Sequence, residues 1–182
     1  MNKKYDLLIL FSGGYDSTLL VQLAMNMDAN ILCLLFDYGQ KHIIELEYAK
    51  EFCLKRNIPY EIIKLSLPIA SNLTDEKKTY EGVNIHHVPA RNLMFLSIAA
   101  SIAESKEILT IWYGANYEDR EKLFPDCYQE WIFKLNELLE INGSLKITVE
   151  APLLGMSKET IKTLAKVFNI NDDKVFSGYE KE

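Results

Sequence analysis

A chain of 182 residues has the size of one domain and is long enough to bury a core. Its formal charge of -6 opposes a broad electrostatic grip on nucleic acid and favours a small-molecule partner, with no stable nucleic-acid binding expected. The 3 cysteines, Cys33, Cys53 and Cys127, are too widely spaced for a Cys-x-x-Cys zinc site, and two lysines before a short apolar run do not make a signal peptide, so a cytoplasmic protein without a membrane span is expected.

Tyr5 to Phe11 reads as a strand buried on both faces of a parallel sheet. Phe11-Ser12-Gly13-Gly14-Tyr15-Asp16-Ser17-Thr18 follows as a turn and a helix start. Two consecutive glycines able to take φ > 0 let the backbone approach a ligand, and Ser17 and Thr18 add hydroxyls beside the free N–H groups of the next helix. Such a turn holds a polyanion. It lacks the Gly-Lys-Ser/Thr of a Walker loop and the third glycine of the dinucleotide fingerprint.

The helix from about Asp16 to Met27 carries a core stripe of Leu19, Leu20, Leu23 and Met27. Asn30 to Phe36 is a second strand, ending at Tyr38-Gly39-Gln40-Lys41-His42, and His42 to Arg56 is a helix with Ile44, Tyr48, Phe52 and Cys53 toward the sheet. Tyr60 to Leu65 is the third strand. The stretch 66–89 has no sustained period and reads either as a lid over the site or as a solvated loop. Arg91 to Ser105 is expected to be the most buried helix, with Leu93, Phe95, Leu96, Ile98, Ala99, Ala100, Ile102 and Ala103 around it. Glu107 to Tyr113 is strand four and Gly114 to Pro125 a polar loop. Asp126 by default caps an amphipathic helix to Ile141 that bears Trp131, Leu135, Leu138 and Leu139, and Lys146 to Glu150 is strand five. Ser157 caps a last helix with Ile161, Leu164, Ala165 and Phe168 inward. This alternation predicts one doubly wound domain over 1–182, a five-stranded parallel sheet in the order 3-2-1-4-5, with the loop at the switch point and a short tail over 171–182.

Several polar clusters fall at the ends of these strands. Arg91 and Lys158 place cations in first helical turns, against the macrodipole, which a bound phosphate would explain. Glu118 and Asp119 lie in an acidic loop that either holds magnesium beside nucleotide phosphates or is simply solvated. Asp126 offers a carboxylate to the ring N–H and amino group of a guanine-like base.

Ser12-Gly13-Gly14-x-Asp16-Ser17 resembles the pyrophosphate loop of ATP pyrophosphatases, which activate carboxyl groups as adenylates. With Tyr38-Gly39-Gln40-Lys41-His42, Glu45-Leu46-Glu47, Pro89-Ala90-Arg91-Asn92, Phe95-Leu96-Ser97, Gly114, Asp119, Pro125-Asp126-Cys127, Pro152-Leu153 and Lys158, nearly the whole chain resembles the 7-cyano-7-deazaguanine synthases of the queuosine pathway. The resemblance implies an adenine nucleotide alpha hydrolase-like fold and an ATP-dependent carbon–nitrogen ligase acting on 7-carboxy-7-deazaguanine and ammonia, through an acyl adenylate and an amide to a nitrile. It implies ATP at Leu10, Phe11, Ser12, Gly13, Gly14, Tyr15, Asp16, Ser17, Thr18, Phe36 and Gly114, and the substrate at Gln40, His42, Glu45, Asn92, Asp126 and Cys127. It further implies that Asp16, Arg91 and Lys158 carry catalysis and that the protein is a homodimer, and Asp16 and Asp119 are candidate magnesium ligands.

The family's four-cysteine zinc site would begin where this chain has Val175-Phe176-Ser177-Gly178-Tyr179, so no zinc is expected. Glu121, Lys122 and Leu123 replace a shorter turn, and Tyr128 stands where an arginine is usual. An enzyme that stops at the amide, one that adenylates another acid and a nucleotide-binding module without turnover therefore stay open as alternatives.

Overall fold

The computed structural model describes residues 4–40, 43–66, 88, 90–121 and 124–170. Five parallel strands, β1 (Leu7–Leu10), β2 (Ile31–Asp37), β3 (Tyr60–Lys64), β4 (Thr110–Trp112) and β5 (Thr148–Glu150), lie in the order β3-β2-β1-β4-β5, as predicted. Strand periodicity divides their side chains between two cores. Leu7, Ile9, Phe11, Ile31, Cys33 and Leu35 join the core built with α1 (Tyr15–Asn26), α2 (Ile43–Arg56) and α6 (Lys158–Val167). Leu8, Leu32, Leu34, Ile111 and Val149 join the other, built with α3 (Arg91–Ser105) and α5 (Gln129–Asn142). The sheet is thus covered on both faces, which is why its central strands read as unbroken apolar runs.

The most deeply placed helix is α1, and not α3 as expected. Ser17, Thr18, Leu19, Leu20, Val21 and Ala24 are all buried, whereas Leu93 on α3 is exposed. The reason is position: α1 follows the central strand and packs beneath α6 as well as on the sheet. On α2, Leu46 and Ala49 take the inward place expected of Ile44, which is exposed, while Phe52 and Cys53 are buried as predicted. On α5, Ile132 joins Leu135 inside and Leu138 points to solvent.

Strands four and five are shorter than their apolar runs because pairing, and not hydrophobicity, limits them; Glu107 already lies at φ 58. The predicted loop at 114–125 contains a short helix of 5 residues, α4 (Tyr117–Glu121). Asp126 does not cap α5: it sits inside a 3-10 turn, Pro125–Cys127, and Tyr128 precedes the helix. Ser157 does cap α6, its Oγ accepting from Thr160 N at 3.1 Å. The stretch 67–87, His42 and the tail 171–182 lie outside the described residues. Among the described residues no helix is long and apolar enough to cross a membrane.

Candidate active site

Because the chain passes from the edge strand β3 back to β4 beside β1, the loop after β1 and the segment after β4 meet at the switch point of the sheet. The loop is braced by its own hydroxyls. Ser12 N donates to Ser17 Oγ at 3.2 Å, Gly14 N to Ser12 Oγ at 3.3 Å, and Ser17 Oγ to the Gly14 carbonyl at 3.1 Å. Only one of the two glycines uses the left-handed region, a correction to the expectation for the pair: Gly13 has φ 87 and Gly14 φ -76. A Cβ at Gly13 would stand 2.4 Å from the backbone oxygen of Glu45, so this glycine is what lets α2 close under the loop. No side chain caps α1 at Gly14, which leaves its N-terminal end to face the cleft.

The β4 side carries a dense polar network. Gly114 brings β4 so close that a Cβ there would stand 3.1 Å from Asp16 Cβ. Two residues on, Asn116 is fully buried, and its Nδ2 donates to both Asp16 Oδ2 and Asp119 Oδ2 at 2.8 Å, while its Oδ1 accepts from Asp119 N at 3.0 Å. Lys158 Nζ lies 3.4 Å from Asp119 Oδ1, and the Lys158 N–H donates to both carboxylate oxygens of Glu118, at 2.7 and 2.8 Å. Burial pushes the Asp16 carboxyl up to about 6; the Asn116 hydrogen bond and Lys158 pull it down, and the Asp119 and Glu118 charges push it up. Asp16 and Asp119 line the cleft here together with the cationic residues Lys158 and Lys162. The hard oxygen donors of the two aspartates fit magnesium, which commonly uses one or two protein carboxylates and completes its shell with phosphate and water. Among the described residues no group of three or more His, Cys, Asp and Glu forms a closed metal cage.

The β2 side is aromatic. Phe36 and Phe95 stack with centroids 4.0 Å apart at 5°, and Tyr38 packs on Phe95 at 5.4 Å. Arg91, the first residue of α3, donates from Nη1 to Tyr38 Oη at 3.3 Å. Ala90 before it is left-handed at φ 54 and offers no side-chain cap. Glu45, in the first turn of α2, is pushed up to about 7 by burial, with Arg91 pulling it down.

Between the two sides lies a cleft of about 330 Å³. It is lined by Leu10, Phe11, Ser12, Gly14, Tyr15, Asp16, Ser17, Phe36, Gln40, Glu45, Arg91, Asn92, Gly114, Asp119 and Lys158 among the residues singled out in the sequence. Gln40 spends its amide on the local turn, donating to the Phe36 carbonyl and accepting from Tyr38 N. Gly13 lies beneath the loop and Thr18 is wholly buried; neither lines the cleft. Asp126 and Cys127 stand behind the lining: Asp126 accepts from Asn92 Nδ2, its carbonyl accepts from Tyr113 Oη, and the buried Cys127 thiol is pushed up to about 12, chiefly by burial. Asn116 is the residue that sequence reasoning missed. Its only signal was its place two residues after Gly114, in a segment noticed for its carboxylates.

The sequence model for the queuosine biosynthesis protein QueC matches residues 6–182. The chain belongs to the QueC family. It is similar to the 7-cyano-7-deazaguanine synthases of Sulfurihydrogenibium sp. (strain YO3AOP1), at 35% identity over 99% of this chain and 87% of that protein, and of Prochlorococcus marinus (strain MIT 9312), at 36% identity over 97% and 85%. Among solved structures, this QueC-family chain resembles the U34-tRNA thiolase NcsA from Methanococcus maripaludis (TM-score 0.63, 17% identity, 93% of this chain and 59% of that one). It also resembles the NH3-dependent NAD synthetase from Campylobacter jejuni (TM-score 0.57, 20% identity, 100% and 72%). These likenesses establish the shared fold alone.

Proposed function

We propose that the protein is an ATP-dependent carbon–nitrogen ligase that adenylates 7-carboxy-7-deazaguanine, adds ammonia to form the amide, and dehydrates that amide to the nitrile with further ATP. The observation that carries this reading is the convergence of Asp16, Asp119, Lys158 and Arg91 on one cleft with the Ser12 to Ser17 loop. Family membership supports it, and so does the nature of the two sides: a polar one suited to phosphates and an aromatic one suited to a flat heterocycle.

A carboxylate resists attack because its leaving group would be oxide; an acyl adenylate releases AMP instead. In this reading the loop and the α1 N-terminus bind the pyrophosphate end of ATP. Arg91 and Lys158 offset the charge that develops as the substrate carboxylate attacks the α-phosphorus and pyrophosphate departs, a largely electrostatic contribution. Magnesium held through Asp16 and Asp119 would supply further neutralisation of phosphate oxygens. Phe36 and Phe95 orient the ring, and Asn92, backed by Asp126, contacts its polar edge. No protein nucleophile is required, and the raised Cys127 thiol agrees with a packing role. A homodimer belongs to the same reading.

Incubation with ATP, magnesium, ammonium and the 7-carboxy compound tests the proposal directly. The expected products are AMP, pyrophosphate and, by mass, the nitrile. ADP and phosphate as main products defeat adenylation; accumulation of the amide, or dependence on another acid, keeps adenylation and replaces the end product or the substrate.

A further inference from the structure

Neutral ammonia attacks an acyl adenylate, but near pH 7 ammonium predominates, so on the adenylation reading the site either captures the small free-ammonia fraction or deprotonates bound ammonium with an acceptor at the cleft. The carboxylates among the described lining residues are Asp16, Asp119 and Glu45. Asp16 and Asp119 are both held by Asn116, and Asp119 also pairs with Lys158. Glu45 differs. It lies in α2, which follows β2, is half-buried and lines the same cleft as Phe36, Tyr38 and Phe95, and among the described residues no hydrogen bond engages its carboxylate. The charged group that acts on it from the packed elements is Arg91 of α3.

We propose that Glu45 is the catalytic base that deprotonates ammonium in this cleft, a role that rests on the adenylation reading above. One N–H bond of ammonium breaks and its proton passes to the Glu45 carboxylate. The freed nitrogen lone pair forms the C–N bond at the acyl carbon. The C–O bond to AMP then breaks, its electron pair leaving with AMP, and the surplus proton of the adduct goes to solvent. Burial suits Glu45 to this task, because a carboxyl raised to about 7 is part ionised at neutral pH and a stronger acceptor than an ordinary glutamate.

The test uses the full chain with ATP, magnesium and 7-carboxy-7-deazaguanine, with ammonium chloride and hydroxylamine competing as amines in one reaction. Hydroxylamine is already neutral at pH 7 and needs no base before attack. Acid-dependent exchange between ATP and pyrophosphate in the parent protein is measured first; its absence defeats the adenylation reading and leaves the Glu45 role without a reaction to serve. Where exchange occurs, Glu45→Gln is expected to raise the ratio of hydroxamate to amide by about tenfold or more over the parent, and Glu45→Asp to stay closer to it. An unchanged ratio in Glu45→Gln overturns the proposal. A measurement on the parent stands independently of either variant folding: its amide rate at fixed total ammonium should level off above the Glu45 titration near pH 7. A continued climb of about tenfold per pH unit, following free ammonia alone, overturns it as well.

Discussion

The β4 side and the β2 side of the cleft solve different problems. On the β4 side nearly every polar atom is engaged: Asn116 clasps two aspartates, Glu118 closes the α6 N-terminus and Lys158 faces Asp119. On the β2 side stacked phenylalanines carry the surface, and Arg91 and Glu45 stand over it with few hydrogen bonds. On the proposed reading the β4 side steadies phosphate charge, and its hydrogen bonds prearrange it for that task, because reorganisation during reaction would forfeit the electrostatic advantage. On the same reading the β2 side accepts a flat ring, which needs shape and apolar area and can leave its charged groups less restrained.

Breaking the first side should have the largest effect. Asp16→Asn is expected to lower turnover by about a thousandfold or more, read as AMP release, while the fold is kept. The same variant should be more stable than the parent. Folding raises the Asp16 carboxyl from 3.8 to about 6, so the unfolded chain releases its proton first and the folded state bears the cost of ionisation above pH 6. At pH 7 Asp16→Asn should therefore gain about 1–3 kcal/mol in urea unfolding, a gain that shrinks as the pH falls through 6 toward 4. Gly13→Ala should cost about 2–4 kcal/mol by the same measurement, because it adds a positive-φ penalty to a clash with the α2 backbone. Gly14→Ala, whose Cβ would meet nothing nearer than 3.6 Å, should unfold close to the parent.

Asn116→Ala should reduce turnover by about 10–100-fold with little change in the KM for the acid, since it loosens the aspartates and not the aromatic side. Phe95→Leu sharpens the contrast from the other direction: a rise of about threefold to tenfold in that KM is expected, with kcat nearly unchanged. Equal effects of the two changes on KM would dissolve the distinction between the sides.

Much of the fold was legible because period-two burial and three- or four-residue helical spacing are local. The 3-2-1-4-5 order, α3 from Arg91 to Ser105 and the Ser157 cap were all predicted and observed. Errors fell where partners outside the segment decide. Apolar runs overstated β4 and β5, because a strand ends where its neighbour ends. Asp126 resembled a helix cap but is committed to Asn92, across 34 positions of sequence. Ile44 lost its inward place to Leu46 because the orientation of α2 is set by the loop packing on its first turn.

For the site, the sequence by itself determined the chemical inventory: a glycine loop with hydroxyls, two cations at helix starts, and carboxylates at strand ends. Residue type and spacing carry that information, and with it membership of the family. Only the tertiary structure decided how those groups are coupled. It placed Asn116 between Asp16 and Asp119, set Asp126 and Cys127 behind the lining, and buried Glu45 enough to raise its proton affinity. The physical reason is that hydrogen bonds across 100 positions of sequence and the desolvation of a carboxyl depend on what the rest of the chain brings near, which no local pattern encodes.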